Sequence, residues 1–243
     1  MRVLGFVYGV LAYALAMATV LYSIGFLGGL APKSIDTGTP VPLASSGALV
    51  DVLLLGLFAL QHSIVARPQF KEWWTRIVPA PIERSTYVLL SALVLALLYW
   101  KWQPIAGVVW DVRGVAGAAI VLGAIFWLGW AIVFVSTFLI NHFDLFGLAQ
   151  VWALWRGTEL SPPAFRTPFL YKVVRHPLYV GFILAFWATP LMTTGHLLFS
   201  ALATGYIFVG MWLEERDLVA VFGDTYVRYR ERVSMIVPLP PRG

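Results

Sequence analysis

Residues 114–140 read GVAGAAIVLGAIFWLGWAIVFVSTFLI, a run without one charged side chain. At 1.5 Å per helical residue, about 20 such residues cover the roughly 30 Å of hydrocarbon in a bilayer. The run therefore reads as a transmembrane helix. Comparable apolar runs extend the reading to spans at 3–30, 47–66, 85–100, 178–193 and 196–213, with Pro, Gly and charged residues at the joins. The 178–193 run is short and contains Thr189-Pro190, which suits a tilted hairpin with the run after it better than an independent crossing.

Composition agrees. Of the 243 residues, 60% are hydrophobic and 12% charged, against about 25% charged in soluble domains. The first run, Val3 to Leu30, is too long for the apolar core of a secretion signal and no clear small-x-small cleavage site follows it, so it reads as the first span. The fold class expected is an all-α integral membrane protein of about six transmembrane helices. One domain over 1–243 is the economical reading, with a four-helix part at 1–140 and a second part at 141–243.

The distribution of cations tests that count, because a wrong number of spans scrambles Lys and Arg between the two faces. Of the 17 Lys and Arg, one face holds Arg2; Arg67, Lys71, Arg76 and Arg84; Arg156, Arg166, Lys172 and Arg175; and Arg216, Arg228, Arg230, Arg232 and Arg242. The other face holds only Lys33, Lys101 and Arg113. This places both termini in the cytosol. The net charge of +5 carries no implication of nucleic-acid binding, because placement outweighs the total in a membrane protein. The absence of cysteine excludes disulfides, thiolate metal sites and cysteine nucleophiles.

Four polar clusters fall at the cytosolic ends of the spans: Gln61-His62, Asn141-His142-Phe143-Asp144, Arg175-His176-Pro177-Leu178-Tyr179 and Glu214-Glu215-Arg216-Asp217. Ionisable groups inside spans cost roughly 2.5–3.5 kcal/mol each near a helix centre, so such positions invite a functional explanation. Snorkelling and capping at helix ends is the competing account of any one cluster. Metal binding is a poor alternative, since no histidines stand at i,i+4 spacing and His196 falls on the opposite face.

Proline suits the first turn of a helix and holds the preceding residue extended, so Pro177 predicts a helix start. The N–H groups of that start, beside Arg175 and His176, would suit a carboxylate or phosphate. Gly181 allows close approach of either a ligand or a neighbouring helix. Glu214 or Glu215 could accept from an amine or from ribose hydroxyls. After the turn signal Gly223-Asp224, Tyr226, Tyr229, Arg230 and Val233 recur at helical spacing, which reads as an interfacial amphipathic helix. His142 and Asp144, two apart, share a face only in an extended segment, where the carboxylate could orient the imidazole for proton abstraction. The long connection at 141–177, rich in Pro, Trp and Phe, lies against headgroups or covers a site.

RHPLYVG at 175–181 with EERDLVAVFGDTYVRYRERV at 214–233 resembles the signature of the isoprenylcysteine carboxyl methyltransferase superfamily, membrane enzymes that use S-adenosylmethionine. ALQHSIVARPQFKEWW at 59–74, PIERSTYVL at 81–89 and INHFDLFGLAQVW at 140–152 resemble its NnrU-type branch. Within it the whole chain looks most like bacterial thiol methyltransferases that turn methanethiol into dimethyl sulfide. The resemblance implies a bacterial inner-membrane protein with a cytosolic active site. It implies a cofactor site in 141–243 that uses Arg175, His176, Pro177, Tyr179, Gly181, Glu214, Glu215, Tyr226, Tyr229 and Arg230. It makes a small thiol the expected acceptor, with His142 oriented by Asp144 as base, His62 as second choice, and Arg84 and Tyr87 beside the acceptor. A prenylated cysteine or other lipid-like acceptor, and an NADPH-dependent reductase of related architecture, are the competing expectations.

Overall fold

A computed structural model describes residues 2–160 and 165–238; Arg242, counted above among the cytosolic cations, lies outside the described residues. The elements are α1 (Arg2–Gly28), α2 (Ser46–Val65), α3 (Pro68–Trp74), α4 (Ala80–Lys101), β1 (Val108–Asp111), α5 (Ala116–Ile140), α6 (His142–Leu145), α7 (Leu148–Arg156), α8 (Pro177–Trp187), β2 (Leu191–Thr193), α9 (Thr194–Phe222) and α10 (Asp224–Arg232). Five of these, α1, α2, α4, α5 and α9, are long and apolar enough to cross a membrane. Their outward faces carry large apolar side chains, among them Leu4, Leu53, Leu60, Ile120, Leu128, Phe138 and Trp212. Such exposure is unsustainable in water and natural in lipid. The chain is a membrane protein with several spans.

The fifth expected span, 178–193, differs from the other five. Its helix, α8, has 11 residues, about 16 Å of rise, and ends before Thr189-Pro190. The chain then runs extended into β2, which pairs with β1. Trp110 Nε1 donates to the Thr189 carbonyl and the Val112 N–H to the Pro190 carbonyl. The backbone left bare where the helix stops is thus satisfied. The last helix, read as 196–213, continues unbroken to Phe222.

The chain divides into two compact units that are not contiguous in sequence. The first takes residues 1–108, 141–162 and 193–196. Within it α4 packs against α1, α2 and α7. Ala16, Val65, Tyr87, Val88 and Ala92 form a buried cluster there, flanked by Ala66, Phe70 and Phe146. The second unit takes residues 109–140, 163–192 and 197–243, and its main packing is α5 on α8.

That α5–α8 crossing depends on two glycines. A Cβ on Gly129 would stand 2.7 Å from the Gly181 carbonyl oxygen and 2.7 Å from the Ala185 nitrogen. One on Gly181 would stand 2.6 Å from the Gly129 carbonyl oxygen. The obstructing atoms are backbone, so neither helix can yield locally. Close packing therefore accounts for Gly181 without a ligand. Gly129→Ala is expected to cost about 1–3 kcal/mol, read as a lower melting temperature in detergent. An unchanged melting temperature would show that the helices are not in this contact.

Candidate active site

In the second unit the polar residues of the two C-terminal motifs converge on one carboxylate. α8 begins at Pro177 with His176 as its N-cap, as proline chemistry predicts. The preceding strand-like stretch is fixed by the tail: the Arg175 and His176 N–H groups donate to the carbonyls of Ser234 and Met235. Arg175 Nε donates to Glu215 Oε1 at 2.7 Å, and the imidazole Nε2 of His176 lies 3.1 Å from the same oxygen. A carboxylate only accepts, so this nitrogen carries hydrogen. Arg230 Nη1 stands 3.7 Å from Glu215 Oε2. The Arg175 and Glu215 side chains are each only 8% exposed.

Arg175 also donates through Nη1 to the carbonyls of Arg230, at 3.1 Å, and Val233, at 2.5 Å. It joins the start of α8 to α9, α10 and the tail. The sequence suggested an anion seat beside Arg175 and His176 and either glutamate as a ligand; the two glutamates stand in different surroundings. Glu215 is engaged by two guanidinium groups and the His176 imidazole. Glu214 is about half exposed, its Oε2 lies 3.7 Å from His176 Nδ1, and that oxygen is buried with no hydrogen bond among the described residues.

Aromatic rings line the same region. Gly223, at φ 53°, breaks α9 from α10, and the turn brings Tyr226 and Tyr229 to one side. The Phe165 ring lies within 5.3–5.9 Å of the rings of Phe222, Tyr226 and Tyr229. The Tyr229 hydroxyl donates to the Tyr171 carbonyl at 2.5 Å. Burial pushes the Tyr229 phenol up to about 12 and raises those of Tyr171 and Tyr226 as well, so all three stay protonated. Tyr226 is 2% exposed, yet its hydroxyl has no hydrogen-bond partner among the described residues. Tyr179 stacks obliquely on His176 with ring centroids 5.6 Å apart. Phe165 and Tyr171 carried no motif in the sequence, and nothing local marks them.

The first unit gathers the other candidates. The His142 imidazole is buried at the start of α6 with Nε2 2.9 Å from the Tyr13 hydroxyl. Residues 142–145 form a helical turn, so His142 and Asp144 do not have the extended geometry on which their pairing was predicated. Asn141 caps the turn by accepting from the Asp144 N–H, which selects helix over strand. Asp144 Oδ1 accepts instead from Gln150 Nε2 at 2.8 Å. His62 sits against α4, its ring 2.9–3.0 Å from the Tyr87 hydroxyl and 3.1 Å from Ser91 Oγ. Arg84 lies 5.0 Å over the Tyr87 ring and donates to the Leu145 carbonyl at 2.8 Å. This ties α6 to α4. Glu83 is not paired with Arg84 but stands 4.0 Å from Lys71. No cluster of metal-ligating side chains exists among the described residues.

Comparison with known proteins adds the family. A Bradyrhizobium diazoefficiens protein, Methanethiol S-methyltransferase 1, is 54% identical over 238 residues, covering 98% of this chain and 83% of its own length. Methanethiol S-methyltransferase of Mycobacterium tuberculosis is 51% identical over 242 residues, covering 99% and 98%. This chain belongs to the methanethiol S-methyltransferase family. Mouse Nurim is a more distant relative, 33% identical over 175 residues that cover 69% of this chain and 66% of its own. No family model matches the chain, and no solved structure matches it.

Two predictions follow from these geometries in this family member. Glu215→Ala strands two guanidinium groups and is expected to cost about 3–5 kcal/mol, whereas Glu214→Ala leaves the melting temperature close to wild type; equal losses would contradict the division between them. Burial lowers the pKa of His142 from its usual 6.5. Its neutral form is then the one the fold accommodates, so its contribution is intact above pH 6.5 and declines as the pH falls from there through the lowered value. The drop in melting temperature between pH 7 and 5 should accordingly shrink in His142→Gln, and an undiminished drop would assign that pH dependence to other groups.

Proposed function

We propose that this protein is a membrane-bound methyltransferase that moves a methyl group from S-adenosylmethionine to methanethiol, giving dimethyl sulfide. The observation that carries the reading is identity above 50% along nearly the whole chain to several methanethiol S-methyltransferases, from organisms as distant as Bradyrhizobium and Mycobacterium.

The donor fits the cluster around Glu215. Two buried polar atoms there, Tyr226 Oη and Glu214 Oε2, have no hydrogen bond among the described residues, and a buried polar atom left so costs about 1–3 kcal/mol. Glu214 would accept from the donor's ribose hydroxyls or ammonium group, and Tyr226 would bond a polar edge of it. The rings of Phe165, Tyr226 and Tyr229 suit a sulfonium cation and an adenine. Arg175, His176 and Arg230 hold Glu215, and through it the helix starts, in place. When bound, S-adenosylmethionine supplies an electrophilic methyl group whose leaving group is a neutral thioether.

The acceptor must lose its thiol proton, because thiolate is the nucleophile. His142 is the base in this reading. Desolvation keeps its imidazole neutral near pH 7, and Tyr13 fixes the ring. His62, bonded to Tyr87 and Ser91, is the second candidate, and Arg84 with Tyr87 completes the polar wall. Asp144 acts at one remove, through Gln150.

The membrane topology proposed is six-segmented with both termini in the cytosol, as the Lys and Arg distribution favours. The α8 helix supplies about 16 Å of the crossing and residues 188–193, extended, about 20 Å more. The α9 helix returns as the other arm of that hairpin, and α10 lies at the interface. Both the active site and the termini would then face the cytosol of a bacterium.

Purified protein incubated with labelled S-adenosylmethionine and methanethiol should release labelled dimethyl sulfide. Transfer to a prenylated cysteine but to no small thiol would make the acceptor lipid-like, and a melting-temperature rise with NADPH but not with S-adenosylmethionine would make the protein a reductase. His176→Ala and Glu214→Ala should weaken S-adenosylmethionine binding, whereas His142→Ala lowers turnover with binding kept. Equal loss of both properties in all three variants would mean that the roles are wrongly divided.

A further inference from the structure

Several buried side chains in the first unit have one polar atom without a hydrogen bond: Asp51, Trp74, Glu83 and Gln150. In Asp51 and Gln150 the other polar atom is bonded, and in Glu83 the other oxygen faces Lys71. Gln61 is different. Both its Nε2 and its Oε1 are buried, and neither has a partner among the described residues. It lies in α2, and a whole carboxamide there stands buried without compensation among the described residues. An apolar residue there would be the cheaper choice for folding alone.

Its neighbours define what could compensate it. Val65, one helical turn on and on the same face, is buried in the cluster with Ala16, Tyr87, Val88 and Ala92, beside Phe146. His62, the next residue, has its ring held by Tyr87 and Ser91 and covered by Phe58, with ring centroids 5.2 Å apart and planes at 21°. The histidine's hydrogen bonds are therefore made within the fold, and those of the glutamine beside it are not. Phe58, Tyr87 and Phe146 make the region aromatic, and the unpartnered amide nitrogen and oxygen of Gln61 offer both donors and acceptors on the same side chain.

We propose that the Gln61 carboxamide is the polar contact for the acceptor's sulfur. This rests on the thiol-methylation reading and deepens it. A one-carbon thiol presents a methyl group, one weak S–H donor and a sulfur lone pair. Oε1 accepts from S–H in the neutral thiol, and Nε2–H donates to sulfur once the proton has left. A carboxamide can serve both states without itself exchanging a proton. Gln61 binds the acceptor and favours its thiolate, and the proton goes to the base, not to Gln61. An alcohol-free apolar alkane of the same size gains nothing from such a contact, which gives the site a preference for the sulfur end of its substrate.

The test uses the full chain in detergent and two variants of similar volume, Gln61→Leu and Gln61→Met. Without donor, methanethiol should raise the melting temperature of the wild type and not that of either variant. The variants without ligand should melt at or above the wild-type temperature, because each removes an uncompensated carboxamide. In turnover, the KM for methanethiol should rise on the order of tenfold, while the melting-temperature rise given by S-adenosylmethionine stays as in wild type. Retention of the thiol-induced rise with KM within about twofold of wild type would overturn the proposal. So would a lower unliganded melting temperature in both variants, which would mean the amide is satisfied inside the fold. A wild-type protein that neither responds to methanethiol nor releases dimethyl sulfide would overturn the thiol-methylation reading itself, and the role of Gln61 with it.

Discussion

One carboxylate, that of Glu215, fixes the relation among three stretches of the second unit. Arg175 and His176 reach it from the start of α8, Arg230 from α10, and Glu215 itself projects from α9. Removing two charged groups from water costs several kcal/mol each unless their geometry and remaining hydrogen bonds are good. Here Arg175 spends further donors on the Arg230 and Val233 carbonyls. The consequence is that Glu214, Tyr226 and Tyr229 are held at defined positions by a cluster that is itself internally satisfied.

That arrangement separates support from binding. Groups that have made their bonds inside the protein cannot also recognise a ligand strongly. Those that have not, Glu214 Oε2 and Tyr226 Oη in the second unit and the two amide atoms of Gln61 in the first, are where binding energy is still available. Both histidines are held by hydrogen bonds: His62 by Tyr87 and Ser91 of α4, and His142 by Tyr13, on a four-residue turn that Arg84 anchors through the Leu145 carbonyl.

The apolar runs were legible because lipid demands length and hydrophobicity, which need no knowledge of neighbours. Five of them are helices, of which α1, α2 and α5 lie within two residues of the expected bounds, α4 begins five residues early and α9 runs nine residues past its expected end. The start of α8 was legible for the same reason, since Pro177 acts on its own backbone. Its early end followed from Thr189-Pro190, although the pairing of β2 with β1 that satisfies the exposed backbone left no local trace. The helical turn at 142–145 went the other way from the extended segment considered for His142 and Asp144, because the Asn141 cap outweighed any gain from pairing the two side chains. Partners distant in sequence, Tyr13 for His142 and Phe165 for Tyr226 and Tyr229, were invisible for want of any periodicity that could announce them. The motif residues at 175–181 and 214–233 were identified as a group, but which of them bond to one another and which keep unsatisfied polar atoms could be told only from the folded structure.

Hydrogen exchange of the purified protein with and without S-adenosylmethionine tests the central claim, that the donor is held by the Glu215-braced cluster. Added donor should slow exchange in peptides covering 171–180 and 214–230, with the effect abolished in Glu214→Ala. Protection confined to α1, α2 and α4, or none in the C-terminal peptides under saturating donor, would contradict it.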